Sequence, residues 1–318
     1  MKIYLPLEKK PHTGKHFFVE RLSVALLEMG VETTSNVEKE CDVALHITKI
    51  KNKVRATKNI IRLNGIIHNT KQKYKELNKS IKHSTDKADA FIFQSEFSQK
   101  MFERYIGKYE DKQKTIIFNG SKVGSDYSPV QSKFKYNFLA FSRWRPHKRL
   151  KATIKSFLAS DMSDSCLWIA GDLKESGLKR SKIKKYFQVP RVQYLGILNG
   201  KSLGRYIASS NAIIHICWLD WCPNSVVESI CAGKTVICNN VGGTQEIVRP
   251  SGGIVCDIDE PYDLEPINLL KPPRINTHIV ADSIVKSAND LSMIKSDHVD
   301  INNIAKEYKS FFEKVLED

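Results

Sequence analysis

Several familiar features are missing from this sequence, and each absence narrows its reading. Its seven cysteines include no CxxC pair, so zinc-type spacing is lacking, and an odd, scattered set fits reduced, buried thiols in a cytosolic setting better than a disulfide framework. No apolar run approaches the roughly 20 residues of a membrane span. MKIYLPL opens the chain as a strand rather than a leader, because Glu8, Lys9 and Lys10 interrupt it early. GxGxxG is absent, and with it the dinucleotide fingerprint. Acidic residues are in deficit: 35 Asp and Glu against 50 Lys and Arg leave a net charge of +15. Such a balance favours acidic partners, whether nucleotides, anionic membrane surfaces, nucleic acid or acidic glycans. Much of it reads as solvated surface in Lys51–Lys58, Lys71–Lys82 and Lys179–Lys185. Nucleic acid is disfavoured, since these cations are not interleaved with exposed aromatics in any recognisable module.

What is present suffices for two ordinary domains: 318 residues, 41% hydrophobic, with 14 Phe and 11 Tyr. The pattern alternates short apolar runs with helical periodicity, the signature of parallel α/β architecture. Lys2–Leu7 reads as a strand, and Phe17–Met29 carries apolar residues on one helical face. Gly14 therefore stands where a strand enters a helix, a place where amides can cradle a phosphate. Strands follow at Asp42–Thr48, Lys58–Leu63, Ala90–Gln94 and Thr115–Phe118, with helices at Tyr74–Ala88 and Glu96–Ile106, the latter capped by Ser95. Ser121–Lys133, with Gly124, Ser128 and Pro129, reads as a linker, giving a first domain over 1–128. A second starts at 134, with strands at Tyr136–Ser142, Cys166–Ala170 and Val192–Leu195 and helices at Leu150–Leu158 and Lys201–Ala208. Asp259–Asn276 has little pattern, and no Asp-x-Asp is read at a strand end. Ile279–Leu291 and Ile301–Leu316 read as terminal helices.

Chemistry concentrates in Ile213–Val248, IIHICWLDWCPNSVVESICAGKTVICNNVGGTQEIV. It reads as strand, loop, helix, strand and glycine turn: Ile213–Ile216, Leu219–Ser225, Ser225–Ala232, Val236–Cys238 and Gly242-Gly243. Asn224 or Ser225 can cap the helix. Asp220, Glu228, the helix start and the glycine turn would all gather at the carboxyl ends of one sheet, where α/β folds bind ligands. Arg143, Arg145, Lys148 and Arg149 follow the Tyr136–Ser142 strand directly and would stand at the same edge. A diphosphate leaving group needs cations where its charge develops.

These residues resemble the signature of retaining, nucleotide-sugar-dependent glycosyltransferases of the GT-B fold, family 4. The acid pair Asp220 and Glu228, Ala232-Gly233-Lys234-Thr235-Val236-Ile237, and Gly242-Gly243-Thr244-Gln245-Glu246 match its acid, strand and turn positions. Arg143 and Lys148 match its Arg and, five residues on, its Lys. The Ile117–Ser121 segment resembles the end of its first domain.

The resemblance implies two Rossmann-like parallel-sheet domains facing a central cleft, at 1–128 and 134–300, with 301–318 a helix crossing back to the first. It implies that Glu228 accepts hydrogen bonds from the ribose hydroxyls, that helix amides around Ser225 to Val227 face the phosphates, and that Asn224, Ser225 and Val226 belong to the nucleotide site. Arg143 and Lys148 would stabilise the diphosphate, Asp220 would hold the transferred sugar, and the backbone at Gly196 and Ile197 would bind the base. His68 is the candidate histidine of the first domain, with His12 and His16 as rivals. The implied reaction is metal-independent transfer from a UDP- or GDP-sugar to an acceptor hydroxyl on a glycan, lipid or small molecule, at a cytoplasmic site or against an anionic membrane. Two other readings keep the fold: a non-catalytic protein binding nucleic acid or membrane through its basic face, and an epimerase or sugar phosphorylase. The chain departs from the family in having Asp220 for a usual Glu, Trp221 for a frequent Gly, and Ser142 and Arg149 where Gly often precedes the Arg and follows the Lys.

Overall fold

The computed structural model describes residues 1–7, 14–51, 53–122, 127–290 and 292–318, the side chain of Lys15 apart; His12 and residues 123–126 of the linker lie outside these. The chain forms two compact units. One comprises Met1–Lys122, Asp263–Ile267 and Asp297–Asp318; the other comprises Val123–Tyr262 and Asn268–Ser296.

The first unit runs β1 (Lys2–Tyr4), α1 (Gly14–Glu28), β2 (Glu32–Thr34), β3 (Cys41–Ile47), β4 (Ala56–Leu63), α2 (Tyr74–Thr85), β5 (Ala90–Phe93), α3 (Glu96–Tyr105) and β6 (Gln113–Ile116). All pairings are parallel, in the order β2-β1-β3-β4-β5-β6. A parallel sheet covered on both faces favours strands apolar throughout, and β5 (AFIF) is buried at every position. Ser95 caps α3 as the sequence indicates, its hydroxyl accepting from the Ser98 amide at 3.1 Å.

The second unit runs β7 (Tyr136–Phe141), α4 (Leu150–Ala159), β8 (Ser165–Ala170), α5 (Arg180–Phe187), β9 (Val192–Gly196), α6 (Gly200–Ser209), β10 (Ala212–His215), α7 (Asn224–Cys231), β11 (Thr235–Asn239), α8 (Thr244–Ser251), β12 (Ile254–Cys256) and α9 (Thr277–Asn289). Its sheet is again parallel, ordered β12-β11-β10-β7-β8-β9. Strand order reverses between β7 and β10, the crevice where doubly wound sheets place ligands.

Three of these elements carry little sequence signal. No residue of α5 is fully buried; its short stripe, Ile183, Tyr186 and Phe187, is half-buried among lysines. Helix α8 begins directly after Gly243 and holds Pro250 in its last turn, where it forfeits little hydrogen bonding. β12 is only three residues long. Its presence corrects the reading that no Asp-x-Asp ends a strand, because Asp257-Ile258-Asp259 follows it directly.

The last helix, α10 (Ile301–Glu317), belongs to the first unit, capped by Asp300, whose carboxylate accepts from the Asn302 amide at 2.7 Å. Ile304, Tyr308, Phe312 and Val315 sit in the same core cluster as Phe18 and Leu22 of α1 and Leu45 of β3. The spacing i, i+4, i+8, i+11 puts them on one face. Arg62 of β4 is 1% exposed. Its Nε donates to Tyr308 Oη at 2.8 Å, its Nη atoms donate to Asn64 and Asn119, and its guanidinium lies 4.2 Å from the Phe18 ring centroid. Gly120 is needed here: a Cβ would lie 2.9 Å from Ile301 Cα.

Candidate active site

At the end of β7 the chain alternates. The Trp144 indole turns inward and donates to the Ala170 carbonyl at 2.9 Å, while its amide donates to the Asp172 carbonyl at 2.9 Å. Arg143 and Arg145 flank it, both exposed, and both pair with Glu175 at 2.8 and 2.9 Å. The two guanidiniums, Arg145 first, hold the Glu175 carboxyl below its usual range. Nothing in the sequence marks Glu175, since its loop lacks apolar pattern.

A 3-10 turn, Pro146–Lys148, follows. Lys148 reaches across to β10 and forms an ion pair with Asp220, each side chain 17% exposed. The pair straddles the sheet's reversal point. Burial alone would lower the Lys148 pKa and raise that of Asp220. Their mutual attraction overrides both, placing the lysine above its ordinary value and the aspartate well below.

Asp220 has further partners. Its carboxylate accepts from the Trp221 amide at 3.0 Å and lies 3.4 Å from His215 Nε2, while its carbonyl accepts from the Gly243 amide at 2.8 Å. His215 Nδ1 lies 3.4 Å from Ser225 Oγ. Burial keeps this imidazole's pKa below the usual value. A neutral ring with Nε2–H toward the carboxylate and Nδ1 toward the serine hydroxyl satisfies both partners. The sequence does not single out His215, which reads as one polar position inside an apolar strand.

Gly242 has φ +79°, and a Cβ there would lie 2.9 Å from the Asp220 carbonyl. Glycine is therefore what lets the turn approach Asp220.

Helix α7 starts differently from the reading of its cap. Pro223 occupies the N-cap with no side-chain hydrogen bond, and Ser225 turns its hydroxyl to His215 instead. The amides of Val226 and Val227 both reach the Pro223 carbonyl, at 3.0 and 3.2 Å, and Val226 is fully buried. They are spent within the turn, unlike the free amides expected. Asn224, Ser225 and Glu228 are half-buried. Gly196 (φ +73°) gives its carbonyl to the Gly171 amide at 2.7 Å, and Ile197 beyond it is 73% exposed.

Arg149 departs furthest from expectation. Its guanidinium forms a two-pronged ion pair with Asp259, the two residues 4% and 7% exposed. It is not available to a diphosphate.

His215, Cys217 and Asp220 bring their ligand atoms within 4.8 Å of one another. The Lys148 ammonium already balances Asp220 there, and burial pushes the Cys217 thiol up to about 12, keeping it protonated.

Lys148, Asp220, Arg143, Glu228, Asn224, Ser225, Val226, Gly196 and Ile197 thus belong to the second unit, and Gly14 and His68 to the first. Gly14 is the first residue of α1. His68 follows β4, is 3% exposed, and has its pKa pushed by burial down to about 4. His16, a rival candidate, lies within α1, half-buried.

Residues 129–265 match the family model described as glycosyl transferases group 1. No curated protein sequence matches the chain. Among solved structures, sucrose-phosphate synthase from Thermosynechococcus elongatus superposes with a TM-score of 0.68 at 12% identity, covering 99% of each chain. Anabaena HepE in complex with UDP and glucose gives 0.64 at 16% identity, covering 98% of this chain and 99% of that one. The pneumococcal O-GlcNAc transferase GtfA in complex with UDP and GlcNAc gives 0.64 at 16%, covering 98% of this chain and 62% of that one. Likeness at such identity speaks for the fold, and the fold is GT-B. The second unit thus carries the match to glycosyl transferases group 1, and the chain as a whole has the GT-B fold.

Proposed function

We propose that this protein transfers a sugar, with retention at the anomeric carbon, from a nucleoside diphosphate to an acceptor hydroxyl. The Lys148–Asp220 pair carries the reading: a lysine held at the reversal point of a parallel sheet, inside the matched region. UDP is the favoured donor nucleotide, since HepE and the pneumococcal enzyme were each solved with it.

Lys148 meets the departing β-phosphate, joined by Arg143 once that side chain leaves Glu175. Asp220 shares its charge between Lys148 and the sugar hydroxyls. Glu228 accepts from the ribose diol, Asn224 and Ser225 approach the phosphates, and the Gly196–Ile197 backbone frames the base. The acceptor oxygen attacks the anomeric carbon from the leaving-group side. The carbon–diphosphate bond breaks as the new bond forms, and the acceptor proton passes to a diphosphate oxygen. No protein carboxylate is required as nucleophile, which separates the reaction from two-carboxylate glycosidases.

On the first unit, Lys75, Lys79 and Lys82 of α2 border a groove of about 340 Å³ with Tyr74 and Tyr105. It supports an acceptor carrying acidic groups, on a glycan or at a lipid surface. A panel of UDP- and GDP-sugars, read by thermal protection and then by donor hydrolysis, tests the donor. Selective protection by one nucleotide series supports the reading, and a flat response sinks it.

A further inference from the structure

Arg149 adopts φ 54°, ψ 40°, the left-handed backbone that burdens any residue with a Cβ and that glycine accepts without cost. A long, charged side chain in that conformation must gain something in return. Here the gain is Asp259: both Nη atoms meet both carboxylate oxygens, and Nη2 also lies 3.4 Å from the Pro273 carbonyl. Asp259 is itself caged at the end of β11. Its Oδ2 accepts from Asn239 Nδ2 at 3.1 Å, its amide donates to Asn240 Oδ1 at 3.0 Å, and its carbonyl accepts from Asn240 Nδ2 at 2.8 Å.

The backbone between is short. The Lys148 and Arg149 amides close the turn onto Arg145 and Pro146 at 2.9 and 3.0 Å, and the His147 carbonyl accepts from the Trp218 amide at 2.8 Å. Lys148 is therefore held between two anchors, Trp218 before it and Asp259 after it. The second leads, through Asn239 and Asn240, to the glycine turn whose Gly243 amide fixes the Asp220 carbonyl. One buried ion pair thus ties together the loops that carry both partners of the Lys148–Asp220 pair. Buried pairs add little net stability compared with well-packed apolar groups, so a role in setting geometry is the better account of its presence.

We infer that Arg149, locked to Asp259, is a positioning residue that holds the Lys148 ammonium where a leaving diphosphate develops charge, an inference resting on the transfer reaction proposed above.

The test compares R149G, D259N, R149G/D259N and R149K in the full chain. The double variant removes both charges and the backbone burden. Arg149 also lines a cavity of about 600 Å³, from which water can fill the vacated space. Its melting temperature is expected within a few degrees of the parent, with kcat lower by roughly 10-fold or more and donor KM changed by less than about 3-fold. Amide exchange at Lys148 and Trp218, measured without donor, is expected to rise about 10-fold while the rest of the sheet is unchanged. R149K keeps the charge but loses the fork, and should fall between parent and double variant. Parental kcat and parental exchange in the double variant would overturn the inference. If the parent turns over no sugar nucleotide, the transfer reading fails, while the exchange measurement still decides the anchor.

Discussion

Lys148 and Asp220 neutralise each other across the β7–β10 boundary, so the cation that the proposed transfer assigns to a diphosphate is paired with a carboxylate. Replacing Lys148 by Ala removes the counter-charge of a half-buried acid. A stability loss of roughly 2–3 kcal/mol is expected, at or below the low end for breaking a buried pair. Turnover should fall by about 10²–10³-fold, as when one transition-state charge contact is deleted. Urea melts and single-turnover assays check the two effects. A stable variant with unchanged turnover would reject the assignment.

Glu228→Gln keeps the shape of the side chain and removes its charge. If the carboxylate accepts from the ribose diol, UDP affinity should drop by about 10-fold, the worth of one hydrogen bond to a charged acceptor. Titration calorimetry with UDP reads this directly, and the melting temperature should scarcely move because Glu228 is only half-buried.

Gly242→Ala and Gly252→Ala separate backbone cost from crowding. Both glycines have positive φ, +79° and +83°, but only the Gly242 Cβ would meet a neighbour, the Asp220 carbonyl. Each substitution should cost roughly 1–2 kcal/mol of backbone energy. Only Gly242→Ala should also lower turnover, by displacing Asp220. Parallel melts and rate assays on the two variants show whether the effects part.

His68 sets a pH dependence. Burial depresses its pKa to about 4 in the folded chain, below the ordinary value of about 6.5. The unfolded chain therefore binds more protons between these values, and stability falls as pH drops through that window. The loss should approach about 3 kcal/mol by pH 4. Chemical denaturation at stepped pH, comparing His68→Gln with the parent, should show a shallower slope in the variant. Identical slopes would reject it.

Tyr308→Phe removes the acceptor of the Arg62 Nε hydrogen bond inside the first unit's core. Leaving a buried donor without its partner should cost about 1–3 kcal/mol. A denaturation midpoint within error of the parent would contradict that.

Much of this architecture is legible in the sequence because parallel strands are written as unbroken apolar runs. AFIF and SCLWIA can be read without a structure. The elements that escape reading are those with little pattern of their own: α5 is eight residues long and buries none of them fully, and β12 has three residues to show. Missing β12 hides the Asp257-Ile258-Asp259 strand end, and with it the acid that claims Arg149. In the linear chain Arg149 stands among cations and reads as one more phosphate ligand. In the fold its backbone is left-handed and its guanidinium meets Asp259. The two acids and the Arg-Lys loop were visible as types and spacings. The His215 and Glu175 contacts, by contrast, arise from strand neighbours and a loop that spacing cannot predict.

The placement of α10 has a consequence for synthesis. The helix that supplies Tyr308, Phe312 and Val315 to the first unit's core follows the entire second unit in the chain. A nascent chain must therefore release all of the second unit before the first can close, with Arg62 waiting for its tyrosine throughout. The domain translated first is the one completed last.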